Sequence, residues 1–166
     1  MFNVNINEKL AEVIGVIIGD GCISDYKPKL RTRVYRVLLL TGAWETDVKY
    51  YEELVQPTIQ KFFGINGRLY HRKDDNTIYY WINNEAVATW FVNLGLPIGL
   101  KVNKVEIPSQ IINEIKLAVA CVRGIFNTDG CVFRRYSKIY KGHKKHYSNY
   151  AVVEFKIKSE KLLYQI

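Results

Sequence analysis

The chain has 166 residues, with 24 lysines and arginines against 16 aspartates and glutamates and a formal net charge of +8. That length buries a core as one domain or two small ones, and the charge favours polyanionic partners, nucleic acid first among them. Three cysteines with no C-x-x-C pair exclude a disulfide framework and a zinc site of that kind. No apolar run reaches membrane-spanning length and the N-terminus lacks the order of a signal peptide. The expectation is a soluble intracellular protein of the cytoplasm, the nucleoid or an organelle, with no membrane partner.

Asn7 caps a first helix whose apolar period runs through Leu10, Val13, Ile14, Ile17 and Ile18. Gly19-Asp20-Gly21 ends it, glycine suiting the left-handed position past a helix. Strands follow at 22–26 and 33–41, then a helix at 45–63 that Pro57 is expected to kink. Gly64 and Gly67 bracket a turn into a hairpin at 68–72 and 77–82, and a helix at 84–94 ends at Gly95. The stretch 95–108, with two prolines and two glycines, reads as the boundary. Beyond it come a helix at 109–127, strands at 131–136 and 150–158, and a helix beginning at Ser159. The division is therefore a first repeat with its linker at 1–105 and a partial second repeat at 106–166.

The word repeat rests on one phrase that occurs twice. Residues 13–21 read V-I-G-V-I-I-G-D-G and residues 122–130 read V-R-G-I-F-N-T-D-G, each followed by cysteine and a β-branched residue. Small residues stand four apart in both copies, Gly15 and Gly19 in one, Gly124 and Thr128 in the other, so each pair lies on one helix face. Glycine inside a helix costs about 1 kcal/mol relative to alanine, and close approach of two helix backbones would offset that cost. If the helices pack along these residues, Asp20 and Asp129 become neighbours. Two such carboxylates repel unless a proton or cation lies between them. Mg²⁺ or another hard divalent cation with phosphate oxygens satisfies the pair, which is the wiring of metal-assisted phosphodiester hydrolysis. Read separately, each Asp-Gly is also an ordinary helix-ending turn.

The two phrases resemble the LAGLIDADG motif of homing endonucleases and group I intron maturases. Tyr35 to Gly42 with Asp47, Tyr50 and Tyr51, and then Leu94-Gly95-Leu96-Pro97, Lys101 and Ile107-Pro108, extend the resemblance to single-chain members with two motifs. It implies an α+β fold: an αββαββα half-saddle followed by a truncated second repeat, αββ and the start of a helix. The motif helices would form the seam between halves, the strands a saddle over double-stranded DNA, and Asp20 and Asp129 the metal ligands. It also implies double-strand breaks with short 3′ overhangs at long sites, and an intron or intein origin. Many members carry a Gln or Lys near the end of the second strand. Here Thr41-Gly42-Ala43 holds no long polar side chain, while Lys156, Lys158 and Ser159 occupy that region of the second half, with Lys158 a candidate phosphate-facing helper.

Nucleic-acid contacts are expected from two basic groups. Residues 134–147 hold six lysines or arginines, two histidines, three tyrosines and no acid, among them Arg134, Arg135, Lys138, Lys141, Lys144 and Lys145. Lys27, Lys29, Arg31, Arg33 and Arg36 precede or enter the second strand, and Arg68, Tyr70 and Arg72 alternate on one strand face. Cys22 and Cys131 are expected to pack beneath the strands, and Trp44, Trp81 and Trp90 in the core or at its edge. Three readings remain: the endonuclease; a non-catalytic binder of intron RNA or DNA; and an interaction domain dimerising through its glycine helices. A second chain completing the short half is a further expected partner.

Overall fold

The computed structural model describes residues 2, 4–27, 29, 33–135 and 150–166. The chain is built around α1 (Glu8–Asp20). Asn7 starts it, its side chain accepting the Leu10 N–H at 3.1 Å. Leu10 to Ile18 are then buried without interruption, so this helix is covered on all sides rather than along one stripe. It ends in β1 (Gly21–Tyr26), which pairs antiparallel with β2 (Tyr35–Ala43). Gly21 is extended at φ −84° rather than left-handed. The glycine is required by space, because a Cβ there would lie 2.6 Å from the Ile17 Cα and carbonyl oxygen.

A long helical rod follows as α2 (Trp44–Tyr50), one wide turn (Tyr51–Val55) and α3 (Gln56–Phe63). The disturbance expected at Pro57 takes the form of that wide turn just before it, where i→i+5 bonding accommodates a missing donor. Gly64, left-handed at φ 67°, ends α3. The hairpin β3 (Arg68–Arg72) and β4 (Thr77–Ile82) completes a sheet of order β1-β2-β4-β3, antiparallel throughout. Residues directly opposed across antiparallel strands share a face. Ile23, Leu38, Leu40, Ile78, Tyr80 and Ile82 therefore form the buried side, together with the helices. α4 (Glu85–Leu94), capped by Asn84, sends Val87, Ala88 and Phe91 into the same core.

After the linker come α5 (Ser109–Ile112), α6 (Ile115–Asp129), a two-stranded sheet of β5 (Gly130–Arg135) and β6 (Tyr150–Phe155), and α7 (Glu160–Leu163). The single helix expected over 109–127 is broken at Asn113-Glu114. In an unbroken helix Ile111 would lie about 120° around from Leu117. The break turns both into the core, where Ile111 is fully buried. β6 ends at Phe155, three residues before the expected 158. Among the described residues, no helix is long and apolar enough to cross a membrane.

α1 and α6 cross with backbones in contact. A Cβ on Gly15 would collide with the Cys121 carbonyl, and one on Gly124 with that of Glu12. Glu12, almost fully buried, binds across this seam. It takes the Arg123 guanidinium at 2.6 Å and the Tyr50 hydroxyl at 3.0 Å. On helix propensity alone Gly15→Ala would gain about 1 kcal/mol. Overpacking against a backbone carbonyl reverses the sign, and urea unfolding should show a loss of about 1–3 kcal/mol.

Candidate active site

The glycine contact decides what meets at the far ends of α1 and α6. One turn beyond Gly15, Gly19 lies under Thr128, and a Cβ on Gly19 would come 3.3 Å from a carboxylate oxygen of Asp129. Asp20 is the next residue. Both carboxyls are held above the usual carboxylate range. For Asp20 burial contributes most, then repulsion from Asp129, and Asp47 adds to it while Lys101 opposes. For Asp129 burial again dominates, with Lys101 opposing.

Lys101 comes from the linker. Its ammonium donates to the carbonyls of Ile18 at 2.8 Å and Ile17 at 3.3 Å, and also to that of Gly19. The last carbonyls of a helix are partly negative and have no partner within the helix, so a lysine there offsets both the helix end and the two acids. Burial lowers its pKa, and Asp20 and Asp129 pull it back up.

The two acids open into different compartments. Asp129 lines a cavity of about 210 Å³ with Lys101, Lys156, Lys158 and Ser159. Asp20 lines one of about 230 Å³ with Thr41, Asp47, Tyr50, Tyr51 and Asn127. Among the described residues, no lysine or arginine lines the second. Where the second strand of the first half lacks a long polar side chain, the space over Gly42 is filled by Asp47. Its carboxylate accepts the Ala43 N–H at 2.8 Å, and a Cβ on Gly42 would lie 3.0 Å from it. The Thr41 hydroxyl donates to the Asp20 carbonyl, and the Tyr51 hydroxyl to that of Thr41 at 2.6 Å. Burial pushes the phenols of Tyr50 and Tyr51 well up, so both remain protonated donors.

A half-buried carboxylate pair with hydroxyl and amide oxygens around it is a hard-cation donor set. Among the described residues no cluster of three His, Cys, Asp or Glu side chains suits a metal.

No protein-family model matches the chain, and none of the curated proteins matches it. Solved structures do. I-DmoI in complex with DNA and Mn superposes with a TM-score of 0.57 at 19% identity, over 76% of this chain and 64% of that one. The LAGLIDADG meganuclease I-AabMI, bound to uncleaved DNA, gives 0.53 at 16% identity, over 89% and 66%. The LAGLIDADG homing endonuclease I-LtrWI, bound to target DNA, gives 0.51 at 15% identity, over 81% and 62%. The chain has the LAGLIDADG endonuclease fold. It spans somewhat less than two thirds of the length of these three neighbours.

Within that fold the remaining expected residues separate. Gly15, Gly19, Gly124 and Thr128 lie at the helix seam. Arg68, Tyr70 and Arg72 stand exposed on the sheet face opposite the helices, with Trp81 and Tyr79 beside them. Arg72 donates to the Tyr79 hydroxyl at 2.7 Å. Arg36 is a correction: it lies on the helix side of β2, pairing with Asp25 at 2.9 Å and reaching Thr89 on α4. Alternation puts it out of phase with Tyr35 and Val37, away from the outer face. Arg33 also turns towards α4, pairing with Glu85 at 2.9 Å. Arg134 and Arg135 are exposed on opposite faces of β5. Arg31, Lys138, Lys141, Lys144 and Lys145 lie outside the described residues.

Cys22 and Cys131 are a second correction, since both lie on the outer sheet face and Cys131 is exposed. They are out of phase with Ile23 and Val132, which take the helix side. Trp90 packs on Phe63 and Phe91, Trp44 stacks on His71, and Trp81 meets Tyr26 on the outer face. Asp47 and the capping role of Lys101 have no local signal. Lys101 stands 81 residues from Asp20 and follows no periodic pattern.

Lys101→Met should cost about 1–3 kcal/mol through the lost charged hydrogen bonds. It should also raise the Asp129 pKa further, read by NMR titration, because Lys101 lowers it. That electrostatic part of the loss is present above the Asp129 pKa and disappears as pH falls through it.

Proposed function

We propose that this chain is a metal-dependent DNA endonuclease of the homing type, made of a first repeat at 1–105 and a partial second repeat at 106–166. The observation that supports it best is the pairing of Asp20 and Asp129 where two helices end, both carboxyls raised by burial. Neighbours of the same fold were determined on DNA with Mn, Ca or Mg. Here Asp20 and Asp129 would hold the divalent cation, Mg²⁺ in the first instance. When bound, such a cation lowers the pKa of a coordinated water and stabilises the departing 3′ oxygen.

The chain's own groups do the rest. Lys101, Lys156 and Lys158 meet the phosphate on the Asp129 side. Protonated Tyr50 and Tyr51 close the Asp20 compartment, and Asp47 orders the strand end beneath it. Double-stranded DNA would lie along the outer sheet face, where Arg68, Tyr70 and Arg72 reach phosphates or base edges. One observation favours a second reading, a non-catalytic binder of DNA or intron RNA. In the Asp20 compartment the strand end Thr41-Gly42-Ala43 offers no lysine or glutamine, and the space over Gly42 holds the Asp47 carboxylate from α2.

A plasmid bearing the DNA that flanks the chain's own reading frame, incubated with Mg²⁺, should be cut by the wild-type chain. Asp20→Asn and Asp129→Asn should reduce cutting to background with DNA affinity unchanged or tighter. Normal cutting by both variants would remove the metal assignment, and binding without cutting by the wild type would favour the second reading. Arg68→Ala and Arg72→Ala should each flatten the slope of log affinity against log salt by about 0.9 per lost phosphate contact.

A further inference from the structure

Strand register lets the two copies of the repeat be compared residue by residue around their acids. Leu40 opposes Gly21, and Phe155 opposes Gly130. The next residues, Thr41 and Lys156, are therefore counterparts, and both tie a strand end to an acid. The Thr41 hydroxyl donates to the Asp20 carbonyl at 3.2 Å, and the Lys156 N–H donates to that of Asp129 at 3.1 Å. Two residues further on, Ala43 matches Lys158. Counted on from there, Asp47 matches Leu162, and each lines the cavity of its own acid.

The three differences change charge in one direction. The Asp129 side has two ammonium groups and a leucine, where the Asp20 side has a threonine, an alanine and a carboxylate. Lys101 adds to the same imbalance, since it lines the Asp129 cavity and not the other. A scissile phosphate is an anion. Lysines aimed at its oxygens hold it and stabilise the charge that develops as it is attacked. A carboxylate in the same place repels it.

We propose that the chain cuts the two strands of its DNA unequally. The phosphate that enters the Asp129 compartment is hydrolysed first. The one at the Asp20 compartment is hydrolysed slowly enough for nicked duplex to accumulate, and Asp47 sets that delay by repulsion. The proposal rests on the endonuclease reading and names the order of its products. Each cut adds one water across one phosphodiester. The water oxygen bonds to phosphorus and the bond to the 3′ oxygen breaks. One water proton ends on that 3′ oxygen and the other passes to solvent, leaving a 5′-phosphate.

Supercoiled plasmid carrying the DNA that flanks the reading frame, incubated with Mg²⁺, tests it. Open circles should build up before linear DNA, with the second cut at least about tenfold slower than the first. Labelled ends should place the nick in one strand. Ala43→Lys puts the counterpart's residue beside Asp47, and Asp47→Asn keeps an acceptor for the Ala43 N–H. Each should raise the ratio of second to first rate by at least about tenfold. Both rates come from the same protein, so a loss of folded material does not move the ratio. A second readout needs neither metal nor cutting. Inorganic phosphate, titrated in the presence of EDTA, should shift the amide resonances of Lys156, Lys158 and Ser159 and not those of Thr41, Asp47 and Asn127. Lys158→Met should weaken that binding. Linear DNA without a nicked intermediate, nicks shared equally between strands, a ratio unmoved by both variants, or equal phosphate shifts on the two sides overturns this proposal alone. Absence of any cutting overturns the endonuclease reading and this proposal together.

Discussion

The contact of two helix backbones at Gly15 and Gly124 is the constraint from which the rest of the molecule follows. No other residue type fits, because a single added carbon on either helix would enter a carbonyl of the other. That closeness sets the crossing, and the crossing places the helix ends side by side. It also brings Glu12 to Arg123 and Tyr50, so the seam between the repeats is tied by an ion pair at its start and by Gly19 against Thr128 at its end. The helix propensity lost at two glycines is about 1 kcal/mol each. Burying α1 from Leu10 to Ile18 outweighs that loss, since each fully buried large apolar side chain stabilises by about 1.5–3 kcal/mol.

Electrostatics then makes the end of the seam a demanding place. Two carboxylates share it with the negative end of α1, and burial removes much of the water that would screen them. One lysine, held by three carbonyls, answers part of that charge. The remainder is distributed unevenly. The Asp129 compartment gathers lysines, and the Asp20 compartment gathers hydroxyls and a further carboxylate. The repeat therefore conserves the position of its acids while giving each a different chemical surrounding. The outer face of the first sheet is a third environment, arginine set among tyrosine and tryptophan, suited to phosphate and to flat aromatic surfaces alike.

The second sheet shows what packing over a sheet face contributes to burial. Val132 and Val153 have the same chemistry and phase as residues that vanish into the core in the first half. They remain exposed, whereas in the first sheet α1, α2 and α4 pack against β2. Burial here is set by the elements packed over the sheet face, not by the side chain.

By itself the sequence determined the elements and their polarity. Asn7, Asn84 and Ser159 announce three helix starts because a short polar side chain can take the free N–H groups of a first turn. The twice-written phrase announced the seam and the acidic pair. Local periodicity failed at the helix break at Asn113-Glu114, where packing overrode it, whereas strand alternation with the register in hand accounts for Arg36 on the helix side and for Cys22 and Cys131 on the outer face. Tertiary structure alone decided which groups surround the acids. Lys101 and Asp47 reach Asp20 from a linker and from a separate helix, through contacts that span tens of residues. No window of sequence contains such contacts, because they exist only once two backbones have closed on each other.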